Sequence, residues 1–140
     1  MSQPDTRPTI LIVEDEWLIG EDLKARLEAL GARVIGPAGN CAAALEAIWN
    51  ERPDFAYVDT RLGSETCELV LEELDRQAIP MVIATGHAQP DWPPYLDGRT
   101  VIGKPYEQPA LEQSYTGLTA GRRQNKTPAS WETGVSKWSE

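Results

Sequence analysis

The stretch TILIVED, residues 9–15, joins a short apolar run to a pair of acids. The run from Thr9 to Val13 is β-branched or aliphatic throughout, which is typical of a strand buried on both faces of a sheet. Glu14 and Asp15 follow directly, so the pattern predicts two carboxylates at the carboxyl end of this strand.

Short apolar runs and amphipathic stretches then alternate along the chain. Further strands are predicted at 33–38, 55–58, 81–84 and 101–102, with helices between them and a last helix from Pro109. This alternation favours a parallel sheet with helices on both faces, joined by right-handed crossovers. We therefore expect an α/β, flavodoxin-like fold with a doubly wound, five-stranded parallel sheet in the order 2-1-3-4-5. Its ligand site should lie beyond the carboxyl ends of the central strands.

Local signals also predict where some helices begin and end. Asn40 is expected to cap the second helix and Ser64 the third, while Gly31 suits the end of the first. Trp17 is interpreted mainly as a packing residue, and Trp49 as either a surface anchor or a half-buried packing group.

Composition excludes several classes of protein. The chain has 140 residues, which suits one domain, expected at 1–120 with a polar tail at 121–140. Its net charge of −9 disfavours nucleic acid as a partner. Only Cys41 and Cys67 are present, which disfavours a disulfide framework or a zinc site. No membrane-length apolar run and no signal-peptide pattern occur, so a cytoplasmic protein without membrane partners is expected.

Polar residues follow four of the five predicted strands. These residues are Glu14 and Asp15, Asp59, Thr85 and Lys104. Three carboxylates in one crevice repel each other, and a divalent cation such as Mg²⁺ removes that conflict. Asp59 could then attack a phosphorus atom, with Lys104 supplying a point charge and Thr85 a hydroxyl donor. The pattern therefore predicts phosphoryl-transfer chemistry at this edge of the sheet.

The runs LIVEDE, YVDTRLG, VIATG and GKPY, in this order and spacing, resemble those of response-regulator receiver domains. The resemblance covers the chain from about Thr9 to about Leu118. It implies that Asp59 accepts the phosphoryl group. It further implies these roles: Glu14 and Asp15 as metal-site acids, Arg61 as a carbonyl ligand of the metal, Thr85 and Lys104 as phosphoryl contacts, and a cis bond between Lys104 and Pro105.

The run PMVIATGH is similar to the signature of the receiver subgroup nicknamed FAT-GUY. That resemblance implies a poorly formed helix between the fourth and fifth strands, at 86–99, and no aromatic switch at Val101. It also implies a stand-alone response regulator that accepts phosphate from a histidine kinase of the HWE or a related class. Output would pass through protein partners, or the domain would act as a phosphate sink. Apart from its own phosphorylation and dephosphorylation, no enzyme activity is expected.

Three other functions compete with this one. A haloacid-dehalogenase-like phosphatase needs a second acid two residues after Asp59, where Arg61 stands. A flavin binder needs a phosphate-cradling loop after the first strand, and the acids at 14–16 have the wrong charge for it. A receiver that no longer takes phosphate, acting as a docking module, is the weakest reading because the full acid, Thr and Lys set is present.

Two features stay open in the sequence. His87 is either an ordinary loop residue or a shield for the phosphoryl group. The polar tail contains Trp131 and Trp138, which are unusual in a disordered segment. The tail is expected to dock near the fourth and fifth strands, on its own domain or on a neighbouring copy. The alternative is a solvent-exposed or partner-binding extension.

Overall fold

The computed structural model of the chain describes residues 6–59, 61–62, 65–66, 68–85 and 100–125. The elements in these residues, in chain order, are β1 (Thr9–Val13), α1 (Trp17–Ala29), β2 (Arg33–Ala38), α2 (Cys41–Glu51), β3 (Phe55–Asp59), β4 (Arg61–Leu62), β5 (Glu65–Thr66), α3 (Glu68–Arg76), β6 (Met81–Thr85), β7 (Thr100–Gly103) and α4 (Gln108–Asn125).

Five of the strands form one sheet in the order β2-β1-β3-β6-β7, and every neighbouring pair is parallel. This is the predicted order 2-1-3-4-5, so the flavodoxin-like fold is confirmed. The short strands β4 and β5 pair with each other, antiparallel, and were not predicted.

The core lies in two layers, one on each face of the sheet. Leu11 and Val13 of β1 pack with α2 and α3, whereas Ile10 and Ile12 pack with α1 and α4. Alternate side chains of a strand point to opposite faces, so a strand covered on both sides must be apolar at every position. This explains why β1 reads as a continuous apolar run.

Local signals placed the helix ends as expected where the chain is described. Asn40 caps α2, and its side-chain oxygen accepts a hydrogen bond of 2.8 Å from the amide of Ala43. Gly31 follows α1 with a φ of +110°, a left-handed conformation that glycine adopts without strain. Ser64, the predicted cap of α3, lies outside the described residues.

The end of the chain differs from the prediction. Pro109 lies in the first turn of α4 as expected, but the helix continues to Asn125, past the predicted start of the tail at 121. The predicted poorly formed helix at 86–99 and the rest of the tail, 126–140, lie outside the described residues. Among the described helices, none is both long and apolar enough to span a membrane.

Candidate functional site

Three strand ends bring two acids and one lysine together. Glu14 follows β1, Asp59 ends β3, and both are almost fully buried, at 2% and 6% exposure. Lys104 follows β7, and its Nζ lies 2.9 Å from Oδ2 of Asp59 and 3.1 Å from Oε1 of Glu14. The lysine ammonium therefore bridges two buried carboxylates from different strands.

A third carboxylate completes an acidic cluster at the same place. One carboxylate oxygen from each of Glu14, Asp15 and Asp59 lies within 4.8 Å of the others. Asp15 is exposed, unlike its two partners. The predicted convergence of the two strand ends is thus present, with one acid open to solvent.

One buried oxygen of this cluster has no hydrogen-bond partner among the residues that the structure describes. Oε2 of Glu14 accepts one from the backbone amide of Glu16 at 3.1 Å. Oε1 is buried and lies 3.1 Å from the Lys104 ammonium, but no group in the described part of the chain donates a hydrogen bond to it. A buried oxygen without a hydrogen bond, beside two further carboxylates, fits a hard divalent cation such as Mg²⁺, which prefers oxygen ligands.

The electrostatics reflect this crowding. Burial and the nearby charge of Asp59 raise the pKa of Glu14 to about 7, against the opposing effects of the Glu16 amide and Lys104. Burial by itself would lower the pKa of Lys104, but the hydrogen bonds and charges of Asp59 and Glu14 outweigh it and raise that pKa. The lysine is therefore held in its charged form.

Thr85 is the buried last residue of β6, the strand that pairs with β3. Asp59 pairs with Ala84, so Thr85 stands one residue further along β6, and it is 3% exposed. Its carbonyl accepts a hydrogen bond of 2.9 Å from the amide of Lys104. The Lys104–Pro105 bond is cis, as the resemblance implied.

Two expected site residues receive less support. Arg61 opens β4, two residues after Asp59, and its backbone pairs with Thr66. The role of its carbonyl as a metal ligand remains a prediction. His87 lies outside the described residues.

Two residues near the site were not singled out from the sequence. Oε1 of Glu16 lies 3.7 Å from Nζ of Lys104, at the exposed side of the cluster. Tyr106 is buried, and burial together with the charges of Glu14 and Asp59 raises its pKa. Glu16 could have been identified from the sequence, because it belongs to the acidic run at 14–16. The tyrosine after Lys104-Pro105 carried no signal of burial, because the adjoining residues are polar.

The exposed tryptophans correct one interpretation and decide another. Trp17, interpreted as a packing residue, is 69% exposed, and its neighbour Leu18 is 75% exposed. The interpretation is wrong because no described element covers Trp17 in the first turn of α1. Trp49 is 61% exposed, so of its two interpretations the surface position is correct.

Comparisons with known proteins agree with this geometry. No protein-family model matches the chain. The phyllosphere-induced regulator PhyR of Methylorubrum extorquens is 34% identical over 114 residues, which are 76% of this chain and 41% of that protein. The chain spans about two fifths of the length of the curated relatives it matches.

Two solved structures show how far the likeness extends. The solution structure of SdrG from Sphingomonas melonis is 32% identical, with a TM-score of 0.71, and the match covers 85% of this chain and 99% of SdrG. A CheY-like response regulator receiver domain from Methylobacillus flagellatus shares the fold at 21% identity, with a TM-score of 0.72 over 81% of this chain and 99% of its own. With the acids, threonine and lysine at the ends of a 2-1-3-4-5 sheet, the chain belongs to the family of response-regulator receiver domains.

Proposed function

We propose that this receiver accepts a phosphoryl group on Asp59 from a histidine kinase, in a reaction that requires Mg²⁺. The observation that carries the proposal is the contact of 2.9 Å between Lys104 and Asp59 beside two further carboxylates. A lysine and an acid cluster at one nucleophile suit phosphoryl transfer, which depends on positioning and charge stabilisation.

The ion would be held by Asp15, Asp59 and Glu14, with the carbonyl of Arg61, and would supply positive charge against the carboxylates and the phosphoryl oxygens. A carboxylate oxygen of Asp59 forms the bond to phosphorus as the bond from phosphorus to the donor's imidazole nitrogen breaks. The electron pair of that bond stays on the nitrogen, and the product is an acyl phosphate.

Two side chains contact the transferred group. Lys104 exchanges its hydrogen bond with Asp59 for one to a phosphoryl oxygen, which keeps its positive charge at the site. The hydroxyl of Thr85 donates a hydrogen bond to another phosphoryl oxygen. Asp59 is thereby both the nucleophile and the residue whose contacts change on phosphorylation.

The subgroup and the partners are part of the same proposal. Val101 is half-buried on β7 and carries no ring, which supports a FAT-GUY receiver that switches without an aromatic rotamer. The donor is then a histidine kinase of the HWE class. Output passes to protein partners, or the domain drains phosphate from a shared kinase, in the cytoplasm. At the mouth of the site, exposed Trp17 and Leu18 offer apolar surface to such a donor.

The test is phosphorylation of defined variants, followed by intact-protein mass and by the lability of the product in base. With acetyl phosphate or a phosphorylated HWE-class kinase, the wild-type chain should gain one phosphoryl group, and Asp59→Asn should gain none. Asp15→Ala should lose the dependence on Mg²⁺. Asp22→Asn, an exposed α1 acid outside the cluster, is the matched control and should react normally.

Two results would contradict the proposal. Modification of Asp59→Asn at the wild-type rate would place the phosphoryl group elsewhere. An unchanged Mg²⁺ dependence in Asp15→Ala would place the metal outside the acidic cluster.

A further inference from the structure

A shallow groove lies between α2 and α3, on the face of the sheet opposite α1 and α4. Its volume is about 260 Å³, and its lining residues are Leu45, Trp49, Leu69, Glu72, Glu73 and Arg76. Trp49 is 61% and Leu69 is 64% exposed. Together with Trp17 and Leu18 they are the large apolar side chains left exposed in the described part of the chain. Large apolar side chains clustered at a surface groove favour contact with another protein surface.

The groove is ordered by a hydrogen-bond network around one carboxylate. Oε2 of Glu73 accepts a hydrogen bond of 3.0 Å from the indole nitrogen of Trp49. The same carboxylate accepts from Nε of Arg76 at 3.0 Å and from Nε2 of Gln77 at 2.7 Å. The polar atom of Trp49 is therefore satisfied within the domain, and the ring is held as a fixed apolar platform.

The size and charge of the groove define what it can hold. A volume of about 260 Å³ is below the range of about 300–1,000 Å³ for small-molecule sites, and it suits one or two anchoring side chains. Helix α3 carries Glu68, Glu72, Glu73 and Asp75 against Arg76 alone. The occupant should accordingly present aromatic anchors with a cationic residue beside them.

We propose that the groove is occupied by residues 126–140 of the same molecule, with Trp131 and Trp138 as the anchors. The anchor Trp138 has the required chemistry, because Lys137 stands directly before it. The other anchor, Trp131, is followed by Glu132 and contributes apolar surface rather than positive charge. Trp131, Val135 and Trp138 recur at the spacing of one helix face. Lys137 would lie against the acidic side of α3, near Glu72.

The direction of the helices makes the contact reachable. Trp49 and Arg76 lie near the ends of α2 and α3, each just before the next strand begins. Helix α4 starts after the carboxyl end of β7 and packs back along the other face, so Asn125 lies at that same amino edge of the sheet. With 126–131 extended, the chain from Asn125 reaches Trp131 within ~20 Å, and a helix over 131–138 carries it ~10 Å further. Together these lengths exceed the ~20 Å width of five strands.

The proposal is independent of phosphorylation and is tested on the full chain with a double-mutant cycle. Replacing both anchors, Trp131→Ala with Trp138→Ala, should raise the unfolding equilibrium constant about tenfold. In a Leu69→Glu background the same replacement should change it less than about twofold, because the docking surface is already lost. Leu18→Glu is the matched control, since Leu18 is an exposed helix leucine away from the groove, and the tenfold effect should persist there.

Amide and indole NMR signals of the same proteins locate the contact. Replacing the two anchors should shift the Trp49 indole N–H and the amides of α2 and α3, equally at high and low protein concentration. Shifts that depend on concentration would overturn docking within one molecule and indicate a second copy. NMR shifts confined to residues of β6 and β7 would show that the segment docks there and not in the groove between α2 and α3. Unchanged spectra, or equal effects in the Leu69→Glu and wild-type backgrounds, would overturn the proposal altogether.

Discussion

At the scale of single residues, the site depends on one cation between two buried acids. Lys104 has a side chain only 14% exposed, and it contacts Asp59 and Glu14 from strand ends that are far apart in the chain. Two buried carboxylates without a counter-charge are strongly unfavourable. Lys104 therefore has a structural role in the unphosphorylated domain, besides any contact with a phosphoryl group.

Replacement of this lysine should lower stability in a way that Mg²⁺ corrects. In a chelator at pH 7, Lys104→Ala should lower the free energy of unfolding by roughly 3 kcal/mol, since Asp59 loses its counter-charge and Glu14, whose pKa is about 7 even beside Lys104, takes up a proton. Saturating Mg²⁺ should restore most of the loss, because the ion replaces the missing charge. Urea denaturation with and without Mg²⁺ measures both effects, with Lys24→Ala on α1 as the control. Equal stability of Lys104→Ala and wild type in chelator would contradict the structural role.

At the scale of elements, α1 is positioned by a close approach at a glycine. Gly20 lies on the buried face of α1, and a β-carbon there would come within 2.6 Å and 2.8 Å of side-chain atoms of Pro37. The same β-carbon would lie 3.5 Å from Cγ of Glu14. A helix-interior glycine costs about 1 kcal/mol relative to alanine. Here it allows α1 to pack against β2 directly beside the acidic cluster.

Replacing Gly20 or Gly117 by alanine should therefore change the free energy of unfolding in opposite directions. Gly20→Ala should lower the free energy of unfolding by about 1–3 kcal/mol, because the added methyl overpacks against Pro37. Gly117→Ala, on α4 with nothing within 4 Å of its β-carbon, should raise it by up to about 1 kcal/mol through helix propensity. Urea denaturation at neutral pH measures both changes. If both substitutions raised the free energy of unfolding, the Pro37 side chain would be able to move away from a β-carbon at position 20, and the close approach of α1 to β2 would not require glycine.

At the scale of the whole molecule, a tyrosine ties the middle of the sheet to the last helix. Tyr57 on β3 is 1% exposed, and its hydroxyl lies 2.6 Å from that of Ser114 on α4. Burial raises the pKa of Tyr57 to about 12, against the opposing effect of Ser114. The neutral phenol is thus favoured in the folded state. The stability it contributes is complete below pH 10 and is lost as pH rises from 10 to 12.

The free energy of unfolding at high pH should show the ionisation of the Tyr57 phenol. Between pH 10 and 12 the wild-type free energy of unfolding should fall by about 2 kcal/mol more than that of Tyr57→Phe. The full difference of about 2.7 kcal/mol, which corresponds to two pKa units, is reached only above pH 12. At pH 8 the Phe variant should be less stable by about 1 kcal/mol, through loss of one hydrogen bond. Urea denaturation across this pH range gives both values. Parallel pH profiles for the two proteins would contradict the assignment.

Local sequence patterns were enough to predict the five strands of the main sheet, their order and the residue types at their ends, although not the short strands β4 and β5. Continuous apolar runs specify strands covered on both faces, and the acids after Val13 and at Asp59 fall at strand ends by simple counting. These are local properties, because the spacing of apolar residues along a segment is the same in the sequence and in the folded strand or helix. The cap at Asn40 and the glycine at 31 were correct for the same reason.

Which of these residues come into contact, and which remain exposed, depends on how the strands and helices pack together. Lys104 is 45 positions from Asp59 and 90 from Glu14, so their contacts depend on the register of three strands and not on any local pattern. Exposure of Trp17 and Trp49 was undecided or wrong for a related reason. A helix pattern shows which face is apolar, but a side chain at the border of that face is buried only if a neighbouring element covers it.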